Sequence, residues 1–434
     1  MLLIYIPNAT PRHHYVFNHI MSYLGIEYLI TDDVEAFADA DNLKFSYDKK
    51  PLHDEMHFYA HGLLNESSIN IFSPTVDTYR NISTLFSHAE ITAALPYDVF
   101  SAVFYMLSRY EEYLPFTADA HGRFEAAHSL AYKHDFLQRP VVDHWIQHLA
   151  EVLQQYFPDL KLKNHKYAFI PTYDIDQAYA YKHKGFVRTI GGLLRDKFRL
   201  NLRAYFERLG VLLHLKTDPF DSYAYQFTLQ QTHDLHPIYF FHAGTYGKYD
   251  KNTSPENKHI RRLLNTISQH ASLGIHPSYL SAEHPELLAA EIERLSLSSY
   301  KKIISARQHF IKISFPETYR NYIANGITDD YSMGYATNIG FRAGTSQAFY
   351  FFDLLDNAST PLLIHPFAFM EGVFKQYKPT TSKEILEVVE PMIAEIKQLK
   401  GTFISIWHNE SLGTSRQWIG WRDVYEKMLV LARY

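Results

Sequence analysis

Residues 167–176 read Tyr167-Ala-Phe-Ile-Pro-Thr-Tyr-Asp-Ile-Asp176. This apolar run stops on two carboxylates and predicts a strand over 167–173. Residues i and i+2 of a strand point the same way, so Asp174 and Asp176 share one side of the chain at the strand's C-terminal end. Two like charges that close resist double ionisation unless a cation sits between them. A strand ending in Asp-x-Asp is therefore a metal site, an acid/base pair, or both. A helix cap or turn is the usual employment of a single Asp, but it accounts less well for two on one side.

Outward from this strand, residues 165–434 repeat one rhythm: apolar strand, polar or histidine-bearing end, helix. Further strands are predicted over 237–241, 272–275, 303–305, 361–364 and 402–406. Leu288, Ile292 and Leu295 make a helical stripe. A capping box from Thr381 to Glu384 opens a helix expected to kink at Pro391 and stop at Gly401. Alternating strands and helices predict a parallel β/α barrel or an open α/β sheet, whose chemistry gathers at the C-terminal strand ends. Those ends carry Asp174, Asp176, His242, His276, Arg307, His309, His365 and His408.

Upstream, residues 1–164 predict a small α/β domain of unassigned role. Its strands fall at 2–6, 27–30 and 69–72, its helices at 12–24, 98–113 and 141–157. The charged run Arg109-Tyr-Glu-Glu-Tyr113 and the turn Asp119-Ala-His-Gly-Arg123 read first as a brace against the second domain, with ligand binding as the alternative. Residues 158–166, polar and lysine-rich, form the linker. A basic insertion at 182–220 interleaves Arg188, Arg195, Lys197, Arg199, Arg203 and Arg208 with Leu and Phe. It predicts one or two amphipathic helices, read first as a solvated subdomain, with a membrane-surface contact or a landing site for an acidic glycan as alternatives.

Composition narrows the function classes. The chain has 434 residues, 46% hydrophobic and 21% charged, enough for two domains and a sizeable core. Net charge is −5, against a general nucleic-acid binder. Cysteine is absent, so disulfides, Cys-based zinc sites and Cys nucleophiles are excluded. The first residues lack a basic leader, no run approaches the roughly 18 apolar residues of a membrane span, and a cytoplasmic chain is expected. The 33 Tyr and 30 Phe suit packing first and a sugar cleft second. There is no Gly-x-Ser-x-Gly elbow, P-loop or Gly-x-Gly-x-x-Gly fingerprint.

The remaining candidates lie past the predicted strands. His276, in Gly-Ile-His276-Pro-Ser278, is a candidate ligand for Zn, Ni, Co or Fe. Arg307 and His309 are again i and i+2. Arg307 could orient a carboxylate such as Asp174 and His309 is a candidate third ligand, with an Arg salt bridge and a satisfied core His as the alternative. Asp329 or Asp330 could hold a His or Arg, Arg342 is a second cation nearby in sequence, and Gly344 serves a turn. His408, in Ile404-Ser-Ile-Trp-His408-Asn-Glu410, could be a general acid held in one tautomer by Glu410. His242 and His365 read as structural.

In this order, these residues resemble the polysaccharide deacetylase (NodB-homology, carbohydrate esterase family 4-like) barrel. Thr172-Tyr-Asp-Ile-Asp176 is similar to the family's first motif, Ile275-His-Pro-Ser278 to the second, Arg307-Gln-His309 to the third, Asp329-Asp330 to the fourth and Ile406-Trp-His408 to the fifth. The upstream region resembles an uncharacterised domain that precedes such barrels in Bacteroidetes-type proteins. The family's second motif carries another His four residues on, where this chain has Leu280, so a third ligand must come from elsewhere.

The resemblance implies a distorted seven-stranded barrel and metal-dependent removal of acetyl groups from an N- or O-acetylated sugar or glycan. Asp176, His276 and His309 would hold a divalent ion, zinc before cobalt, nickel or iron. Asp174 would be the base, positioned by Arg307, and His408 the acid. Asp330, Arg342 and Trp407 would support substrate. The alternatives are another metal-dependent amidohydrolase acting on a small amide, and a catalytically silent glycan-binding barrel.

Overall fold

The computed structural model describes residues 1–377 and 380–433. The first sheet is four parallel strands, β1 (Leu2–Tyr5), β2 (Tyr28–Thr31), β3 (Leu43–Asp48) and β4 (Met56–Tyr59), in the order β2-β1-β3-β4. A hairpin, β5 (Val76–Tyr79) and β6 (Ile82–Leu85), follows. The strand expected over 69–72 is absent. There the Tyr110 hydroxyl takes the place of a ladder partner, accepting from Asn70 N at 2.6 Å and donating to Asn70 O at 3.2 Å. The helix expected over 98–113 ends at Leu107, because Arg109 turns left-handed at φ 54° before a short 3-10 turn over Tyr110–Tyr113.

The second sheet has nine strands: β7 (Ala168–Ile175), β8 (Ile238–His242), β9 (Ser272–His276), β10 (Ser305–Ala306), β11 (Asp329–Asp330), β12 (Phe349–Asp353), β13 (Ala358–Ile364), β14 (Phe369–Met370) and β15 (Thr402–His408). Their order is β12-β13-β11-β10-β9-β8-β7-β15-β14, and only the β12–β13 pair is antiparallel. This is the expected α/β class with a largely parallel sheet; nine strands pair where seven were expected, and among the described residues no pairing joins the outer strands β12 and β14.

Pro171 lies inside β7, where a missing N–H would normally argue against a central strand. It is tolerated because β8 joins only from Thr172 onward, leaving β15 as the one neighbour at Pro171. Gly274 in β9 answers a close approach: a Cβ there would stand 2.5 Å from the Phe240 ring and 2.9 Å from Ser305 O. The helix Ser382–Gln398 is capped by the expected Thr381–Glu384 box and contains Pro391, but Lys400 at φ 54°, not Gly401, makes the left-handed exit.

Most buried apolar side chains of both sheets form one contiguous core, while Leu3 and Tyr5 of β1 pack with Phe37 in a small separate cluster. The helix Pro11–Leu24 lies against β12, with Tyr15 donating to Tyr350 O at 2.7 Å. A buried ion cluster adds to the contact: Glu112 accepts from Arg109 Nε at 2.8 Å and from Arg342 Nε at 2.8 Å. The parallel strands put the C-terminal ends of β7, β8, β9, β10 and β15 on one side, which is what positions the site.

Candidate metal centre

Asp174 and Asp176 end β7, as their spacing predicts, but meet different partners. Asp174 is buried and accepts from Arg307 Nη1 at 2.8 Å. The same nitrogen reaches Thr172 Oγ1 at 2.7 Å, and Arg307 Nε donates to Tyr331 O at 2.8 Å. The guanidinium is fully buried and lies over the Phe240 ring, 4.4 Å from its centre. These contacts fix one carboxylate orientation for Asp174.

Asp176 faces two imidazoles. Its Oδ1 is 3.2 Å from His276 Nε2 and 3.6 Å from His309 Nε2. The far nitrogens are already committed: His276 Nδ1 is 2.6 Å from the Arg307 carbonyl, and His309 Nδ1 is 3.0 Å from Asp250 Oδ1. A carbonyl and a carboxylate only accept, so each Nδ1 carries the proton. A neutral ring turns its Nε2 lone pair toward Asp176; against the pull of burial, Asp176 and Asp250 raise the pKa of His309 to about 9, so an ion bound at that nitrogen replaces a proton. Asp176 Oδ1 is itself buried without a hydrogen-bond partner. The three ligand atoms lie within 4.8 Å of one another, and one carboxylate with two imidazoles is a donor set that could take a divalent transition ion.

Burial opposes the charge on Asp176, yet the neighbouring His309 outweighs it and keeps the carboxyl well below its usual range. Leu280, where a second His of the motif would stand, is exposed in a short 3-10 turn.

Two carboxylates that the sequence did not single out support these rings. Asp250 takes hydrogen bonds at Oδ1 from His309 Nδ1, from His242 Nε2 at 3.0 Å and from Tyr279 N at 3.0 Å. Burial would raise its pKa, but the hydrogen bonds from His242 and His309 hold it well below the usual range. A carboxylate behind a ligating histidine fixes the tautomer and raises the basicity of the ring. His242, kept neutral chiefly by burial, belongs to this supporting layer.

The other is Glu371, just past β14. Its Oε1 accepts from His408 N at 2.7 Å and lies 2.8 Å from His408 Nδ1. This corrects the expected partner: Glu371, not Glu410, holds His408. Burial lowers the affinity of His408 for a proton, but Glu371 outweighs it and the pKa rises well above its usual value. Burial pushes Glu410 up to about 7, partly offset by His408. In the pairing of β7 and β15, His408 stands opposite Asp174.

Three residues expected to support substrate are engaged elsewhere. Asp330 accepts from Tyr319 Oη at 2.7 Å and Ser332 N at 3.0 Å, and holds neither a His nor an Arg by hydrogen bond. Its neighbour Asp329 takes His365 Nε2 at 2.8 Å. Arg342 is committed to Glu112 and Gly334 O. Trp407 alternates with His408 along β15 and is buried against Phe369, Trp421 and Tyr425.

Residues 2–158 match a family of unknown function, DUF7033. No curated protein is significantly similar in sequence. Among solved structures the chain is similar to one described as "putative polysaccharide deacetylase from Mycobacterium smegmatis", at 10% identity and a TM-score of 0.39, covering 62% of this chain and 85% of that chain.

Proposed function

We propose that this chain is a divalent-metal-dependent deacetylase acting on an N- or O-acetylated sugar or polysaccharide. The observation that carries the metal is the convergence of Asp176 Oδ1 with the Nε2 atoms of His276 and His309, whose Nδ1 atoms are committed to other acceptors. These three residues would hold the ion, zinc first among the candidates. Bound there, the ion supplies Lewis acidity toward an acetyl carbonyl and lowers the pKa of a water.

The chain's own groups do the proton work. Asp174, fixed by Arg307 and Thr172, accepts the proton of the attacking water at its carboxylate. His408, kept protonated by Glu371, donates from Nε2 to the departing sugar nitrogen or oxygen. The buried Arg307 offsets the negative charge of Asp174 and prevents it from turning away. Balance requires one water added, acetate released and one proton returned to the amine or hydroxyl.

The acetyl-sugar class is supported by the five motifs in order along the chain, from Thr172-Tyr-Asp-Ile-Asp176 to Ile406-Trp-His408. The test is acetate release from acetylated sugar oligomers by metal-loaded protein, with Asp174→Asn as control. Release by the native chain and loss in the variant supports the reading. Release from simple amides alone moves the assignment to another amidohydrolase, and no release from either overturns it.

A further inference from the structure

The insertion after β7 folds as a helical hairpin, Phe186–Phe198 and Leu202–Leu212, whose outer face is unusually apolar. Along the first helix Phe186, Ile190, Leu194 and Phe198 recur every four residues and are all exposed. Along the second, Leu202 and Phe206 do the same. At the tip between them Leu200 is 82% exposed, and Phe198 beside it 80%. At 100° per residue each set lies on one stripe. Exposed apolar groups scattered singly are ordinary, whereas a contiguous patch marks an interaction surface.

The hairpin holds a fixed shape. Arg208 Nε donates to buried Asp196 at 2.8 Å and ties the helices together. At the base, buried Asp218 accepts from the backbone N–H groups of Ala180, Tyr181 and Lys182 at 2.7, 2.8 and 3.0 Å. The outward stripe is thus presented by a braced element.

Charge identifies the occupant. Residues 186–216 contain seven Lys or Arg against two Asp or Glu, a net of +5 in a chain whose total is −5. Both acids are engaged: Asp196 with Arg208, and Glu207 with the Tyr181 hydroxyl at 3.0 Å. Lys197, Arg199 and Arg203 are exposed beside the stripe. Apolar side chains fringed by free cations, with the anions turned inward, match a lipid surface bearing negative headgroups. We propose that this hairpin docks the protein on an anionic membrane surface, lying in the interface and not crossing it. None of the described helices is long and apolar enough to cross a membrane.

Docking would also place a basic cleft at the membrane. A cleft of about 1070 Å³ runs beside the hairpin, lined by Lys184, Arg188, Arg195 and Arg203, and reaches Gln177, the residue after Asp176. Arg188, on the side of the first helix turned toward the rest of the chain, donates to Asn252 O and Lys251 O at 2.7 Å each.

The experiment is co-sedimentation of the full chain with vesicles of phosphatidylcholine alone or mixed with phosphatidylglycerol. The chain has no cysteine, so Phe198→Cys gives a single position for an environment-sensitive fluorophore, and Leu297→Cys, exposed on another helix, is its control. The proposal expects binding to the phosphatidylglycerol vesicles, weakened by salt and reduced about tenfold or more in F186S/F198S/F206S and in R199E/R203E. It also expects a blue shift from the label at 198 and none at 297. Circular dichroism of the variants should match the native chain, since the changed side chains are exposed. No vesicle binding by the native chain overturns the proposal. Self-association that F186S/F198S/F206S abolishes, without vesicle binding, assigns the face to a second copy instead.

Discussion

Glu371 holds His408 from two directions, with Oε1 2.7 Å from the backbone nitrogen and 2.8 Å from Nδ1. The buried negative charge keeps the imidazole protonated against the pull of burial. An acid that must be protonated to act fails above its own pKa. Glu371→Gln keeps a hydrogen-bonding group but removes the charge, so the pKa of His408 falls. The alkaline limb of the kcat profile then moves to lower pH, with kcat down about tenfold to a hundredfold. An unmoved alkaline limb in the variant would remove His408 from the acid role.

Asp174 and Arg307 divide their work. Asp174→Asn should keep the metal and lower kcat by about 10²–10⁴. Arg307→Lys cannot reach Thr172, Asp174 and Tyr331 O together, so kcat should fall while metal content stays. Retained kcat with lowered thermal stability would make Arg307 structural only.

Glu112 lies buried between Arg109 and Arg342. Glu112→Gln leaves Arg342 without its counter-charge and Arg109 with Glu111 alone, at 2.8 Å. Breaking a buried pair on one side costs about 3–5 kcal/mol. Urea unfolding should show that loss, and a change below about 1 kcal/mol would mean that the cluster is screened.

Asp143 joins the N-terminal segment to the loop after Gly344, accepting from Ser346 N at 3.0 Å and from the Thr345 and Ser346 hydroxyls. Burial nevertheless pushes its carboxyl up from 3.8 to about 6. The folded chain therefore binds this proton more tightly than the unfolded chain. The stability it supplies is greatest below about pH 4 and is lost as pH rises through 6. Asn cannot ionise, so the stability of the native chain relative to Asp143→Asn should decline between pH 4 and 7, by on the order of 3 kcal/mol. Chemical unfolding at both ends of that range measures it, and a pH-independent difference would contradict the raised pKa.

Strands were legible where an apolar run met a polar stop. β1, β7, β8, β9 and β15 all have this form, and their ends carry Asp174, Asp176, His276 and His408. β10, expected over 303–305, forms only at Ser305–Ala306, and β11, two residues long, has too little sequence to show a period. β12, Phe349-Tyr-Phe-Phe-Asp353, lacks the alternation that marks an antiparallel edge. The sheet's outline depends on which strands pair at its ends, a property of no single segment. Asp250 and Glu371 were hidden for a related reason. Asp250 sits in a loop rich in Gly, Tyr and Lys, and Glu371 follows a two-residue strand. Each acquires meaning only beside a histidine brought from far along the chain. Glu410 was the nearer acid in sequence but not in space.

The most direct test is the metal content of the purified chain after chelation and reloading with zinc, cobalt, nickel or iron. The geometry of Asp176, His276 and His309 predicts about one divalent ion per chain, lost in Asp176→Ala and His276→Ala and retained in Asp174→Asn. An absence of bound metal after reloading, or an Asp176→Ala variant that keeps its ion, would contradict it.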